Sequence, residues 1–282
     1  MVASACSTTT AAKTSADHRH LAVKVLPAPK ELLSAGNPQP NGSIWVLGGS
    51  ANVKTLTGID LSDDKAFDSI GVSASASAVA QSPTGILALG LATAHTGAVE
   101  LLNATTGAAE GSIAVGAPVR ALAFGSNGVT LYVLNGNAAS TSVTVIDTTS
   151  DKIVTSLGQP LDAIGLVPDP SQSALWTVDR SGVVEQTSLS SGKPIAAFPM
   201  GNPGLAIAVS PDGGYLYVLK GTASGANIAV VSTVTESITR LIPAAAGSIA
   251  LAVAPDGRTL YDIVGTPTVG NIQQIPLRSN GE

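Results

Sequence analysis

Apolar residues in this chain come in short runs, and the runs return in a fixed order. A first run (76–80, 120–124, 205–209, 249–253) is followed by a proline, aspartate and glycine turn, as in SPDGG at 210–214 and APDG at 254–257. A second run carries a large side chain at its centre (44–47, 131–134, 175–178, 216–219). A Gly/Ser/Asn loop of variable length comes next, then a third run such as 143–146 or 228–231. Polar turns at 103–107 and 147–152 lead into a fourth run, for example 153–157. Proline presets φ at one turn position and glycine tolerates positive φ at another, which suits a tight reversal. The pattern predicts four short strands per unit, a turn about every ten residues, and no helix of useful length.

Two markers measure the unit. Trp45, Leu89, Tyr132, Trp176, Tyr217 and Tyr261 lie 44, 43, 44, 41 and 44 residues apart. Asp60, Asn103, Asp147, Ser188, Ser232 and Pro276 follow with steps of 43, 44, 41, 44 and 44. A period in the forties with four strands is the signature of a β-propeller blade. A single such sheet, apolar on both faces, is stable only when neighbours cover it, and one large side chain per blade is expected to fill each gap. Units begin near residues 31, 75, 119, 161, 204 and 248. The sixth ends after its third strand, whereas residues 21–27 read as a fourth strand standing before unit one. The chain is therefore expected to be an all-β, six-bladed β-propeller of four antiparallel strands per blade. The N-terminal strand at 21–27 would close the last blade against the strand at 271–277, removing an open edge. Residues 20–282 would form this single domain, with a flexible tether at 1–19.

Composition adds a surface. Charged residues are 12% of the 282, about half the usual share. Ser, Thr, Asn and Gly must cover the exterior, a look common among exported proteins. Net charge is −5 with no Lys/Arg cluster, so nucleic acid, which demands a basic stripe, is not an expected partner. No run of 18 apolar residues is present to form a spanning helix.

At the start, small residues lead to Cys6, the single cysteine, and a Ser/Thr-rich stretch follows. This resembles the cleavage site of a bacterial lipoprotein, with Ala3 where leucine is usual. The resemblance implies a lipid on Cys6, an extracytoplasmic location at the cell surface or in the periplasm, and membrane contact only through that lipid. The charged and apolar parts of a signal peptide are missing, which reads as a trimmed or mis-called start. His18 and His20 follow on the tether and read as solvated.

The strings GVTLYVLN at 128–135, VIDTTSDKI at 145–153 and SPDGGYLYV at 210–218 resemble the YVTN-type propeller repeat of the YncE-like proteins. The resemblance covers about 21–277. It is weakest in unit two, where Leu89 stands for the aromatic, and in unit four, whose first turn at 169–173 reads as longer. It implies a secreted or surface-attached protein. Members often have seven blades, which is the alternative count, although no residues remain for a seventh. The motif carries no catalytic residue.

No catalytic constellation emerges, and neither a cofactor nor a metal site is expected. Asp212 and Asp256 recur at the blade period and read as turn chemistry, because calcium loops need several alternating carboxylates. No nucleophile elbow or phosphate-binding fingerprint is present. His95 falls in the loop between strands two and three of unit two, a class of loop that gathers on one face of a propeller. Arg120, Asp162, Asp179, Arg180 and Lys220 are expected near the same mouth. These six are the candidate ligand-binding residues. The sequence favours a monomeric, tethered, non-catalytic binding or scaffold module whose partner is an envelope protein or a glycan. The alternative is a propeller-type hydrolase, lactonase or lyase working through His95 and neighbouring acids. A docking subunit for a redox enzyme is a third reading.

Overall fold

The computed structural model describes residues 24–28, 31–160, 162–222, 225–266 and 270–277. These form six four-stranded antiparallel sheets with no helix. Blade 1 contains β2 (Leu32–Ala35), β3 (Ser43–Gly49), β4 (Lys54–Asp60) and β5 (Lys65–Val72). Blade 2 contains β6 (Ala76–Gln81), β7 (Ile86–Ala92), β8 (Gly97–Asn103) and β9 (Ala109–Ala114). Blade 3 contains β10 (Val119–Phe124), β11 (Thr130–Asn137), β12 (Ser140–Asp147) and β13 (Lys152–Gln159). Blade 4 contains β14 (Ala163–Pro168), β15 (Ala174–Asp179), β16 (Val183–Ser188) and β17 (Pro194–Pro199). Blade 5 contains β18 (Gly204–Val209), β19 (Tyr215–Thr222), β20 (Gly225–Ser232) and β21 (Ser237–Pro243). Blade 6 contains β22 (Ser248–Val253), β23 (Thr259–Gly265), β24 (Gly270–Pro276) and, as its outer strand, β1 (Lys24–Pro27). β1 pairs with β24 from Lys24 opposite Gln274 to Pro27 opposite Asn271. The expected closure is therefore present over 24–27; residues 21–23 lie outside the described residues.

Strand register shows what the large-residue rhythm does. Trp45, Tyr132, Trp176, Tyr217 and Tyr261 occupy one equivalent position in their blades and are buried. Trp45 packs with Ala76 and Leu87 of the following blade, and Tyr132 with Ala163 and Leu175. In blade 2 that position belongs to Ala88, not to Leu89. Ala80 pairs with Ala88 as Ala123 pairs with Tyr132. Leu89 is one residue on and faces back toward Trp45. The sequence assignment was one residue out because both neighbours are apolar on a strand buried on both faces. Space left by the small Ala88 is taken from the other side: Phe124 of β10 lies in the same buried cluster.

The second marker also has a cause. Asp60, Asn103 and Asp147 each end the third strand of their blade, and each accepts a hydrogen bond from the amide two residues on, at 2.8, 2.9 and 2.8 Å. Ser188 and Ser232 accept from the amide three residues on. These side chains cap the turn into the fourth strand.

The turns between first and second strands share one design. The amides of Gly42, Gly85, Gly128, Gly213 and Gly257 each bond the carbonyl three residues back, and all five glycines have positive φ. Blade 4 makes the same turn with Gln172 at φ 56° bonded to Asp169. Its first turn is thus the ordinary length, and a non-glycine residue sits where glycine is preferred. The sheets are apolar on both faces only near the axis. Their outer strands are largely exposed, Val154 and Ile195 among them, because blades diverge toward the perimeter.

One core position breaks the apolar rule. Asp262 sits where Val46, Val133 and Val218 sit in other blades and is fully buried. Oδ2 accepts from Ser248 Oγ (2.9 Å) and the Ala245 amide (3.2 Å), while Oδ1 has no partner among the described residues. Burial pushes its pKa up.

Candidate functional site

The six innermost strands converge on a central channel of about 250 Å³. Each of them bulges at the same place, one residue after its first pairing. A bulge re-aims a side chain at a strand end. The bulged residues Leu33, Ser77, Arg120, Ile164, Leu205 and Ile249 all line the channel. Two residues further along, Ala35, Val79, Leu122, Leu166, Ile207 and Leu251 form an apolar belt. The mouth is thus an apolar ring interrupted by one cation and one hydroxyl. Ser77 donates to the Val119 carbonyl at 2.9 Å, which leaves Arg120 as the distinctive group.

Arg120 does not point at an empty mouth. Its guanidinium donates to Asp162 Oδ1 at 2.6 Å and to the Ala163 carbonyl at 2.8 Å. Arg180 donates through Nε to Asp162 Oδ2 at 2.9 Å. The Arg120 hydrogen bond, reinforced by that of Arg180, holds the Asp162 carboxyl below the usual carboxylate range. Asp162 stands on the crossover from blade 3 to blade 4 with φ 55°. Its carbonyl accepts from the Arg180 amide, one instance of a bond that recurs in every blade at 2.8–3.2 Å. That bond ties each crossover to the end of a second strand and fixes where the charges stand.

The remaining candidates are on the same side of the ring but are engaged elsewhere. Asp179 Oδ1 accepts from Ser181 Oγ and the Val183 amide, both at 2.8 Å, and so closes its own turn. Lys220 is buried and donates to the Met200 carbonyl at 2.7 Å. Asn135, at the equivalent position of blade 3, donates to the Val115 carbonyl at 3.1 Å, so both side chains brace a crossover. His95 lies in an exposed turn closed by Thr93 and Thr96 and is not among the channel-lining residues. The structure therefore joins Arg120, Asp162 and Arg180 and leaves His95, Asp179 and Lys220 apart from that group. Asp212 and Asp256 each accept from the amide two residues on, as turn residues. Among the described residues no group of three or more His, Cys, Asp and Glu is placed to hold a metal ion. Cys6, His18 and His20 lie outside the described residues.

The opposite face carries two clefts that sequence reasoning did not find. One, of about 550 Å³, lies between blades 1 and 2 and is lined by Phe67, Gln39 and Gln81 among others. The second, of about 440 Å³, lies between blades 6 and 1 beside Tyr261. The loop 38–40 of blade 1 stands between them. Its Pro-Gln-Pro string was the available signal, since the other blades have a shorter turn there.

No family model matches the chain, and no curated protein does. Among solved structures it is similar to U3-55K, at 13% identity and a TM-score of 0.68 over 90% of this chain and 98% of that one. It is also similar to the hydrazine synthase of Kuenenia stuttgartiensis, at 14% identity and a TM-score of 0.67 over 89% and 84%. At such identities the likeness shows the propeller fold alone.

Proposed function

We propose that this chain is a YVTN-type propeller held outside the cytoplasm by a lipid on Cys6, acting as a non-catalytic binding module for an envelope partner. The observation that carries the reading is the Arg120–Asp162–Arg180 group beside an apolar ring at the channel mouth. A general base needs a pKa near the working pH. Asp162 is instead held ionised by two guanidiniums. What the mouth offers is recognition: an apolar seat formed by Leu33, Ile164, Leu205 and Ile249, with a charged group of fixed orientation at one side. An apolar core with a polar rim is the anatomy of a protein interface. The small-residue approach to Cys6 and the Ser/Thr-rich tether behind it support the anchored location.

The test is a photo-crosslinking residue at Leu205, with Ile153 on an outer strand as the control, in the native host. A discrete adduct from position 205 only, reduced by Arg180→Ala, supports the module. Equal labelling at both sites, or none, overturns it. Acyl labelling that survives Cys6→Ser would remove the anchor from the reading.

A further inference from the structure

We propose that the cleft between blades 1 and 2, on the face opposite Arg120, binds an uncharged sugar residue of a glycan. The proposal goes beyond the reading of the mouth and uses none of its residues.

Its floor is an aromatic ring held in place before any ligand arrives. Phe67 stands edge-to-face on buried Trp45, with centroids 5.5 Å apart and planes at 85°. Opposite Trp45 on β4 is Gly58, and the ring occupies the room a side chain would need there. A Cβ on Gly58 would fall 2.4 Å from Phe67 Cζ. Phe67 nonetheless remains 53% exposed. A fixed, open ring is the partner that the C–H face of a pyranose seeks, because those hydrogens carry partial positive charge and the ring face partial negative charge.

The walls supply hydroxyl chemistry. Gln39, Asn41 and Gln81 line the cleft with Ser82 and Asp68. An amide donates and accepts in one plane, which matches adjacent hydroxyls. Gln39 is already oriented, donating to the Asn37 and Gln81 carbonyls at 3.0 and 3.3 Å. Gln81 is buried, and its side-chain oxygen has no partner among the described residues. Its last torsion is broad, so either end of the amide is available to face the cleft. A buried acceptor without a donor disfavours the free cleft and rewards one that is filled.

Charge argues against anionic ligands. Among the described residues of the lining, Asp68 is the one ionisable group and no cation accompanies it. A phosphate or an acidic sugar would meet repulsion and find no counter-charge. The volume, about 550 Å³, lies within the range of small-ligand sites.

The test uses the full chain with β-1,4-linked glucose oligomers and N-acetylglucosamine oligomers, and oligogalacturonate as the anionic control. Saturation-transfer NMR and calorimetry report binding. At least one neutral oligomer is expected to bind. Phe67→Ala should weaken it roughly tenfold or more, Phe67→Tyr should retain it, and Leu205→Asp at the mouth should leave it unchanged. A single cooperative melt of Phe67→Ala, even at a lowered midpoint, shows that the fold survives, and retained binding by Phe67→Tyr keeps the ring as the cause. No transfer to any neutral oligomer at millimolar concentration, binding indifferent to Phe67, or equal binding of oligogalacturonate would each overturn the proposal.

Discussion

Replacing Asp262 by valine should stabilise this protein at neutral pH, although it deletes two hydrogen bonds. The carboxyl is wholly buried, and one of its oxygens bonds nothing among the described residues. Leaving a buried polar group unsatisfied costs about 1–3 kcal/mol, and more for a charge. Valine relieves that cost and suits the site, since Val46, Val133 and Val218 fill the equivalent position in blades 1, 3 and 5. What is lost is chiefly the bond from the Ala245 amide, worth about 0.5–1.5 kcal/mol. Ser248 still donates to the Ala245 carbonyl at 2.8 Å. The balance is a gain of about 1 kcal/mol, or roughly 2–4 °C in melting temperature for a chain of this size. The effect must depend on pH. A carboxyl whose folded pKa lies above its ordinary 3.8 stabilises most below that ordinary value and loses the contribution as pH rises through the folded one. The advantage of valine should therefore widen from acid to neutral pH and disappear or reverse near pH 3.5. Thermal melts of both proteins from pH 3.5 to 8 measure it. A variant that melts below the wild type at pH 7, or a difference that does not change with pH, would refute the reasoning.

Three further outcomes follow from the packing and the mouth. Phe124→Ala should cost about 3–5 kcal/mol, and Ala88→Phe alone should overpack. Combined they should recover much of the loss, and urea unfolding of the full cycle reads the coupling. Deleting residues 24–27 bares the edge of β24. The result should be a lower melting temperature and concentration-dependent association, visible by light scattering on a sizing column. Asp162→Asn removes two charge-assisted bonds, one of them to the 63%-exposed Arg180, so about 1–2 kcal/mol is at stake. Because the folded pKa of Asp162 is lowered, its contribution is full above the ordinary 3.8 and fades as pH falls through the lowered value. Denaturant titrations at pH 7 and below pH 3 should show the gap closing.

Much of the architecture was legible in the chain because its causes are local. Turn residues such as Asp147 and Gly213 bond their own neighbours, and they repeat with the blade. Strand number, blade count and closure by residues 24–27 follow from that rhythm and from the need to cover apolar sheets. Facing was not legible where two adjacent residues are both apolar, which is why Ala88 and Leu89 could be told apart only by register. The mouth was half legible: Arg120, Asp162 and Arg180 were visible as rare charges. Their joining spans 60 residues and depends on a crossover that sets two blades side by side. The ring of bulged residues was invisible for the same reason, and the cleft over Phe67 was signalled only by the longer turn at 38–40. Each is assembled from strands whose sequence separation says nothing about distance until the sheets have closed around an axis. Periodicity fixes what a blade is, because a blade is made of short-range bonds; only closure of the ring decides which side chains from different blades meet.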